Sequence, residues 1–252
     1  GLTITAGPFL MHKIKEKISM KKLKRVLALA MAVILSVPTI ITTGTGTVPV
    51  KAAGDTVELT VSSESAKYAG YETRKMYAGG NYAYCVQPSK KTPQSGTYEK
   101  HYDVENYVSN AGDETQAVQS RNLAYYCWGA PGFNASYFPS TWYDGSAMDD
   151  DKYIALSHIM LSFLVSYDEV GSMHGCNSSF KNWVYQNVLG YNANGDLVNG
   201  QATLPILCWS AAPASFKVYI LSTGSATQNI LGYEYTPTGT VSLSKTSANT
   251  GI

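Results

Sequence analysis

Charge is scarce in this sequence. Asp, Glu, Lys and Arg make up 15% of its 252 residues, against about a quarter in an average soluble chain. The formal surplus of +1 is carried by one end. Residues 1–53 hold eight of the 19 basic and one of the 18 acidic side chains, leaving 11 against 17, net −6, from Gly54 onward. No basic stripe remains there to neutralise phosphates, which argues against a nucleic-acid partner. The four cysteines form no CxxC pair, and the four histidines (His12, His101, His158, His174) do not cluster at ligand spacing. Neither a metal nor a cofactor is therefore expected. The chain also lacks an internal repeat.

Only one long apolar run is present, and it is not part of a fold. "MKKLKRVLALAMAVILSV" sets a basic cluster (Lys21, Lys22, Lys24, Arg25) before the run, and "VKAAG" follows after a polar Thr-rich stretch. That order reads as a secretory signal cleaved after Ala52 or Ala53, with Met11 or Met20 as the start. Pro38 and the Thr stretch argue against a permanent span, so the mature chain is not expected to enter the membrane. Residues 1–53 are set aside as upstream residues and signal, and residues 54–236 are expected to form one domain with its own core. At the far end "YTPTGTVSLSKTSANTGI" passes through a Thr/Pro/Gly hinge into a new alternating strand, Val241-Leu243-Lys245. One strand cannot be a domain, so residues 237–252 read as a linker and the start of a following module.

Within the domain, "DTVELTVSS" alternates as a half-buried strand, and "YETRKMYAGGNYAYCVQP" reads as a hairpin around Gly79-Gly80-Asn81. On its second strand Tyr82, Tyr84 and Val86 share one face while Ala83, Cys85 and Gln87 share the other. Three helices follow: "DETQAVQSRNLAYYCWG", "DDDKYIALSHIMLSFLVSYD" and "CNSSFKNWVYQNVLG". The second opens on Asp149–Asp151, which suit a helix N-terminus, and carries a stripe of Tyr153, Leu156, Met160, Phe163, Leu164 and Tyr167. "ATLPILCWS", "SFKVYILST" and "ATQNILGYEYT" read as returning strands. Strands, helices, strands makes an α+β fold, a sheet or barrel-like part with an inserted block of about three helices.

Cys85 then has three readings. Four cysteines in an exported chain allow two disulfides among Cys85, Cys127, Cys176 and Cys208. Cys85 followed by His158 and His174 is also the order of a Cys–His peptidase or transglutaminase-like enzyme. However, Cys85 lies on a strand rather than at a helix N-terminus, which would lower a thiol pKa, and a histidine inside a helix is commonly a core side chain. The third reading comes from likeness. "AYCVQPSK", "ALSHIMLSFL" and "ATQNILGYEY", in that order behind a signal, resemble the Cys motif, helical block and late Gln strand of the thioester domains in Gram-positive surface adhesins. His158 stands where that family's block has Gln, and Ser162 where it has Trp. "VSLSKTSANTGI" resembles the opening strand of collagen-adhesin B-type (SpaA-like, prealbumin-like) stalk domains, whose strand lysine, here Lys245, joins an Asn or Asp beyond Ile252.

The resemblance implies a thioester between Cys85 and Gln228, 143 positions later. It further implies capture of an amine, a lysine on a host surface or matrix protein, by a cell-wall-attached adhesin tip of a Gram-positive bacterium. His158 is the candidate base, and Tyr82 and Tyr84 are either shields of the bond or ordinary sheet residues. Such an event occurs once per molecule, as binding rather than enzymatic turnover. A non-covalent ligand-binding adhesin domain with paired cysteines is the remaining alternative.

Overall fold

The computed structural model describes residues 55–192 and 196–237. The signal segment, Lys245 and the expected stalk strand lie outside the described residues. Six strands, β1 (Thr56–Tyr68), β2 (Tyr71–Ala78), β3 (Asn81–Cys85), β4 (Gly96–His101), β5 (Phe216–Leu221) and β6 (Ile230–Tyr235), close into an antiparallel barrel in the order β1-β2-β3-β6-β5-β4. Five α-helices fall between β4 and β5: α1 (Glu114–Tyr126), α2 (Asp150–Ser166), α3 (Glu169–Ser172), α4 (Ser178–Trp183, continued by a π turn to Leu189) and α5 (Thr203–Trp209). The α+β reading with a helical insertion therefore holds.

The strand alternation sorts side chains into two cores. Leu59, Met76, Ala78, Ala83, Cys85, Tyr219, Leu221 and Ile230 pack together inside the barrel. Tyr82, Tyr84, Val86, Leu231 and Tyr233 lie on the other side, in the larger core shared with the helices. β1 bends through a register shift between Val61 and Ser65, which lets a 13-residue strand wrap the small barrel. Opposite Tyr219 on β6 stands Gly232, where a Cβ would come within 2.4 Å of the Tyr219 ring, so close approach requires glycine there.

Each long helix begins as its sequence directs. Asp113 accepts from Gln116 N–H at 3.0 Å and Asp149 from Lys152 N–H at 3.0 Å, satisfying donors that the first turn leaves free. The expected stripe on α2 is only part of the picture. Every residue from Ile154 to Val165 is buried, because the barrel covers one side and the other helices the rest. Each of Leu156, Ile159, Met160 and Leu161 contributes about 1.5–3 kcal/mol on leaving water, and the same burial takes His158, Ser157 and Ser162 with it.

One expectation changes, and one strand is new. "ATLPILCWS" is helix α5, not a strand: Leu204, Leu207 and Cys208 are buried at helical spacing, and Pro205 falls in the first turn, where its missing N–H costs little. Strand β4, "GTYEKH", had no sequence reading, since its residues are all half-exposed or exposed and alternate weakly.

Arg121 of α1 fastens the helical block to the barrel. Its guanidinium donates to the carbonyls of Phe216 (2.7 Å), Ala212 (3.1 Å) and Pro213 at the entry to β5. Arg121→Met keeps the aliphatic stem and removes these bonds, so urea unfolding should show a loss of roughly 1.5–3 kcal/mol. An unchanged midpoint and slope would show that the fork contributes nothing.

Candidate functional site

β3 ends at Cys85 because Pro88 and the turn after it cannot continue the ladder. Its last pairs join it to β6, Tyr84 opposite Leu231 and Cys85 opposite Ile230, and Val86 N–H donates to Asn229 C=O at 3.2 Å. The pairing thus carries on past the strand end toward Gln228. Two residues before Ile230, Gln228 takes the diagonal position to Cys85. Diagonal neighbours have Cα atoms about 7–8 Å apart, within reach of a long side chain.

Gln228 is 4% exposed. Its backbone N–H donates to Lys91 C=O at 3.0 Å, its Nε2 to Thr92 Oγ1 at 3.4 Å, and its carbonyl accepts from Thr223 Oγ1 at 2.7 Å. Its side-chain oxygen Oε1 is buried and, among the described residues, has no hydrogen-bond partner. A buried amide oxygen left in that condition costs about 1–3 kcal/mol.

α2 lays one face along the end of β3. His158 and Ser166 stand eight residues apart on it. His158 Nδ1 lies 3.2 Å from Cys85 C=O, and Ser166 Oγ donates to Val86 C=O. Cys85 Sγ is 3.3 Å from Nδ1 and 3.8 Å from Nε2 of the same ring. Since a carbonyl can only accept, the contact with Cys85 C=O favours the tautomer with the proton on Nδ1, which leaves Nε2, the farther of the two nitrogens from the thiol at 3.8 Å, as the acceptor. Tyr71 stacks on the imidazole at 6.3 Å between centroids.

Burial sets the protonation of this pair. It pushes the Cys85 thiol well above its ordinary range, and the nearby Asp168 charge adds to that; the Thr73 hydroxyl and the Gln87 amide pull weakly the other way. Burial also lowers His158 to about 4, against a small opposing effect of the Cys85 carbonyl. At neutral pH the pair is therefore thiol and neutral imidazole, not thiolate and imidazolium. The proton can leave sulfur only as sulfur bonds to something else.

The structure brings Cys85, His158 and Gln228 to one end of the barrel. It does not bring in His174, which is exposed in the turn after α3, or His101, which packs on Tyr107 at 5.1 Å. All four cysteines are free and buried, so the disulfide reading has no bond to support it. Tyr82 and Tyr84 are sheet residues facing the helices, with Tyr84 OH bonded to Trp128 C=O at 2.9 Å; they do not cover the thiol. Ser162 Oγ is buried without a hydrogen-bond partner among the described residues. Thr73, Thr92, Ser89 and Asp168 were missed, because nothing in their local sequence separates them from ordinary strand, turn and helix-end residues. Among the described residues no group of three His, Cys, Asp or Glu side chains could hold a metal.

Folding keeps His158 unprotonated down to about pH 4, whereas the unfolded histidine takes up its proton near 6.5. The unfolded chain therefore binds the extra proton in that window. The stability held above pH 6.5 is lost as pH falls toward 4, by on the order of 3 kcal/mol. Glu169, pushed up by its own burial, works in the opposite sense. The measurement is thus the difference between wild type and His158→Gln in urea midpoints across this range. The variant should lack the wild type's extra loss, and parallel curves would refute the assignment.

The family model for the thioester domain matches residues 56–194, just over half of the 252-residue chain. That span contains Cys85 and His158 and ends before Gln228. No curated protein and no solved structure matches the chain.

Proposed function

We propose, from the premise that this chain belongs to the thioester-domain family, that Cys85 and Gln228 form an internal thioester through which the domain binds an amine covalently. The observation that carries the reading is the buried, unpartnered Gln228 Oε1 diagonal to a buried thiol in contact with an imidazole. A thioester carbonyl is a weaker hydrogen-bond acceptor than an amide carbonyl. Leaving it unpaired costs less, so the pocket suits the thioester better than the glutamine.

Formation follows from the protonation states. Cys85 sulfur attacks the Gln228 side-chain carbon while its proton passes to His158 Nε2. The C–N bond then breaks as that proton is delivered to the leaving nitrogen, and ammonia departs. A base held near pKa 4 is weak in water, but here it moves a proton over one contact without forming a separated ion pair in a dry site. Barrel strands hold both reacting side chains, and exclusion of water protects the product.

Capture reverses the departure with a better leaving group. A lysine amine on a host surface or matrix protein attacks the acyl carbon, the C–S bond breaks, and sulfur takes the proton that the amine loses. The result is an amide between ligand and residue 228 and a free Cys85. This is one event per molecule, consistent with a secreted, cell-wall-attached adhesin tip of a Gram-positive bacterium, with residues 54–236 as the binding head and residues 237–252 as the linker and first strand of a SpaA-like stalk domain.

A Cys–His peptidase would use the same contact differently, as a thiolate–imidazolium pair open to substrate. Burial of both groups to 4% and 3% exposure drives them to the neutral forms, which favours the single-turnover reading.

Intact mass decides the matter. Wild type should fall one ammonia below its sequence mass, Cys85→Ala and Gln228→Ala should not, and methylamine should add once to wild type only. A wild type with neither the deficit nor its hydrolysed product would sink the proposal. His158→Gln should slow formation of the deficit, by roughly 100-fold or more if the imidazole carries the proton.

A further inference from the structure

The segment between Cys85 and β4 does more than turn the chain. Residues Ser89–Thr92 are exposed while Gln228 is buried, and the bonds of Gln228 run to this segment: backbone N–H to Lys91 C=O and Nε2 to Thr92 Oγ1. Lys91 also bridges Thr227 in parallel register. The segment is therefore the layer between the Gln228 amide and solvent.

From the helical side it is held by a carboxylate. Asp168, at the junction of α2 and α3, accepts from Ser89 N–H at 2.8 Å through Oδ2 and from Ser89 Oγ through Oδ1. The carboxylate is itself fixed by its backbone: Tyr167 turns the chain in the left-handed region (φ 53°), and Asp168 N–H donates to Ser162 C=O at 3.0 Å. Gly171 completes the contact. A Cβ there would stand 2.5 Å from Ser89 Oγ and 2.8 Å from Ser89 N. Gly171 is not among the positive-φ residues, so clearance for Ser89, not backbone freedom, requires glycine at this position.

We infer that Ser89, Asp168 and Gly171 form a latch that holds the Gln87–Thr92 segment over Gln228, positioning the acyl carbon and restricting which amines reach it. These are positioning residues: they act on Gln228 through Lys91 and Thr92. The inference rests on the thioester reading above. In it the segment is both the shield against water and the door for the amine, a role that the tyrosines of β3 do not fill. Releasing the latch lets the segment lift, while the barrel pairing that places Cys85 stays intact.

The test uses the purified chain with Ser89→Ala, Asp168→Asn and Gly171→Ala. The first two remove the bonds, and the third forces the segment outward with both partners present. Intact mass follows the ammonia deficit, its spontaneous hydrolysis, and the rate of adduct formation with methylamine and with the bulkier Nα-acetyl-lysine. Each variant should retain the deficit, hydrolyse faster, and react with Nα-acetyl-lysine roughly tenfold faster, on the order of one lost hydrogen bond. The gain for methylamine should be smaller. A change in size discrimination is not something a purely structural defect would produce, and thermal unfolding midpoints identify any variant that is merely destabilised. A deficit replaced by the hydrolysed product in a folded variant is the faster hydrolysis carried to completion. Wild-type hydrolysis and unchanged discrimination in all three folded variants, with the deficit present, would overturn the latch alone. Absence of the deficit and of hydrolysed product from wild type would instead bring down the thioester reading beneath it, and the latch with it.

Discussion

The pairing of β3 with β6 is the constraint on which the site depends. It closes the barrel, and it is the contact that sets Cys85 beside the approach to Gln228, 143 positions away in the chain. The short ladder is held in register on both sides. β2 pairs with β3 through Met76 and Ala83, and β5 pairs with β6 along six residues from Phe216 to Leu221. A one-residue slip would send Cys85 to the helical face and Tyr84 into the barrel. The fit of Gly232 under the Tyr219 ring makes such a slip sterically costly as well.

What the helices add is dryness and a proton acceptor. The middle of α2 is covered on all sides, so the histidine it presents to the thiol is neutral at pH 7, and the thiol remains protonated. A reactive thiol is commonly made by lowering its pKa with a helix N-terminus or a nearby cation. The arrangement here is the reverse. Burial suppresses ionisation, and in the proposed thioester the reactivity would come from proximity to one internal carbonyl. Under the proposed thioester, such a site would be inert to solvent and directed at its own glutamine.

Much of the fold was legible from local pattern. The β2–β3 hairpin, the capped starts of α1 and α2 and the final two strands follow from alternation, Gly-Gly and Asp signals. The errors have physical causes. α5 is short and apolar, and a run such as "LPILCW" has no polar face to separate period 2 from period 3.6. β4 sits between β1 and β5 with a half-exposed pattern, so its strand character comes from partners on both sides and not from its own residues. Tyr82 and Tyr84 were correctly placed on one face, but which face meets the thiol depends on where the helices dock.

By itself, the sequence determined the class of the fold, the alternation that turns Cys85 away from the tyrosines, and the three residues worth attention: Cys85, His158 and Gln228. The first two are properties of short segments, set by period, capping and turn chemistry; the three residues were singled out by the resemblance to a known family. Only the tertiary structure decided that His158 reaches the thiol, that both are neutral, that all four cysteines stay free, and that Asp168 and Gly171 meet Ser89 in the segment bonded to Gln228. Those facts depend on the docking of a helix against a closed barrel. Burial and the distances between remote side chains are set there, and no local pattern encodes them.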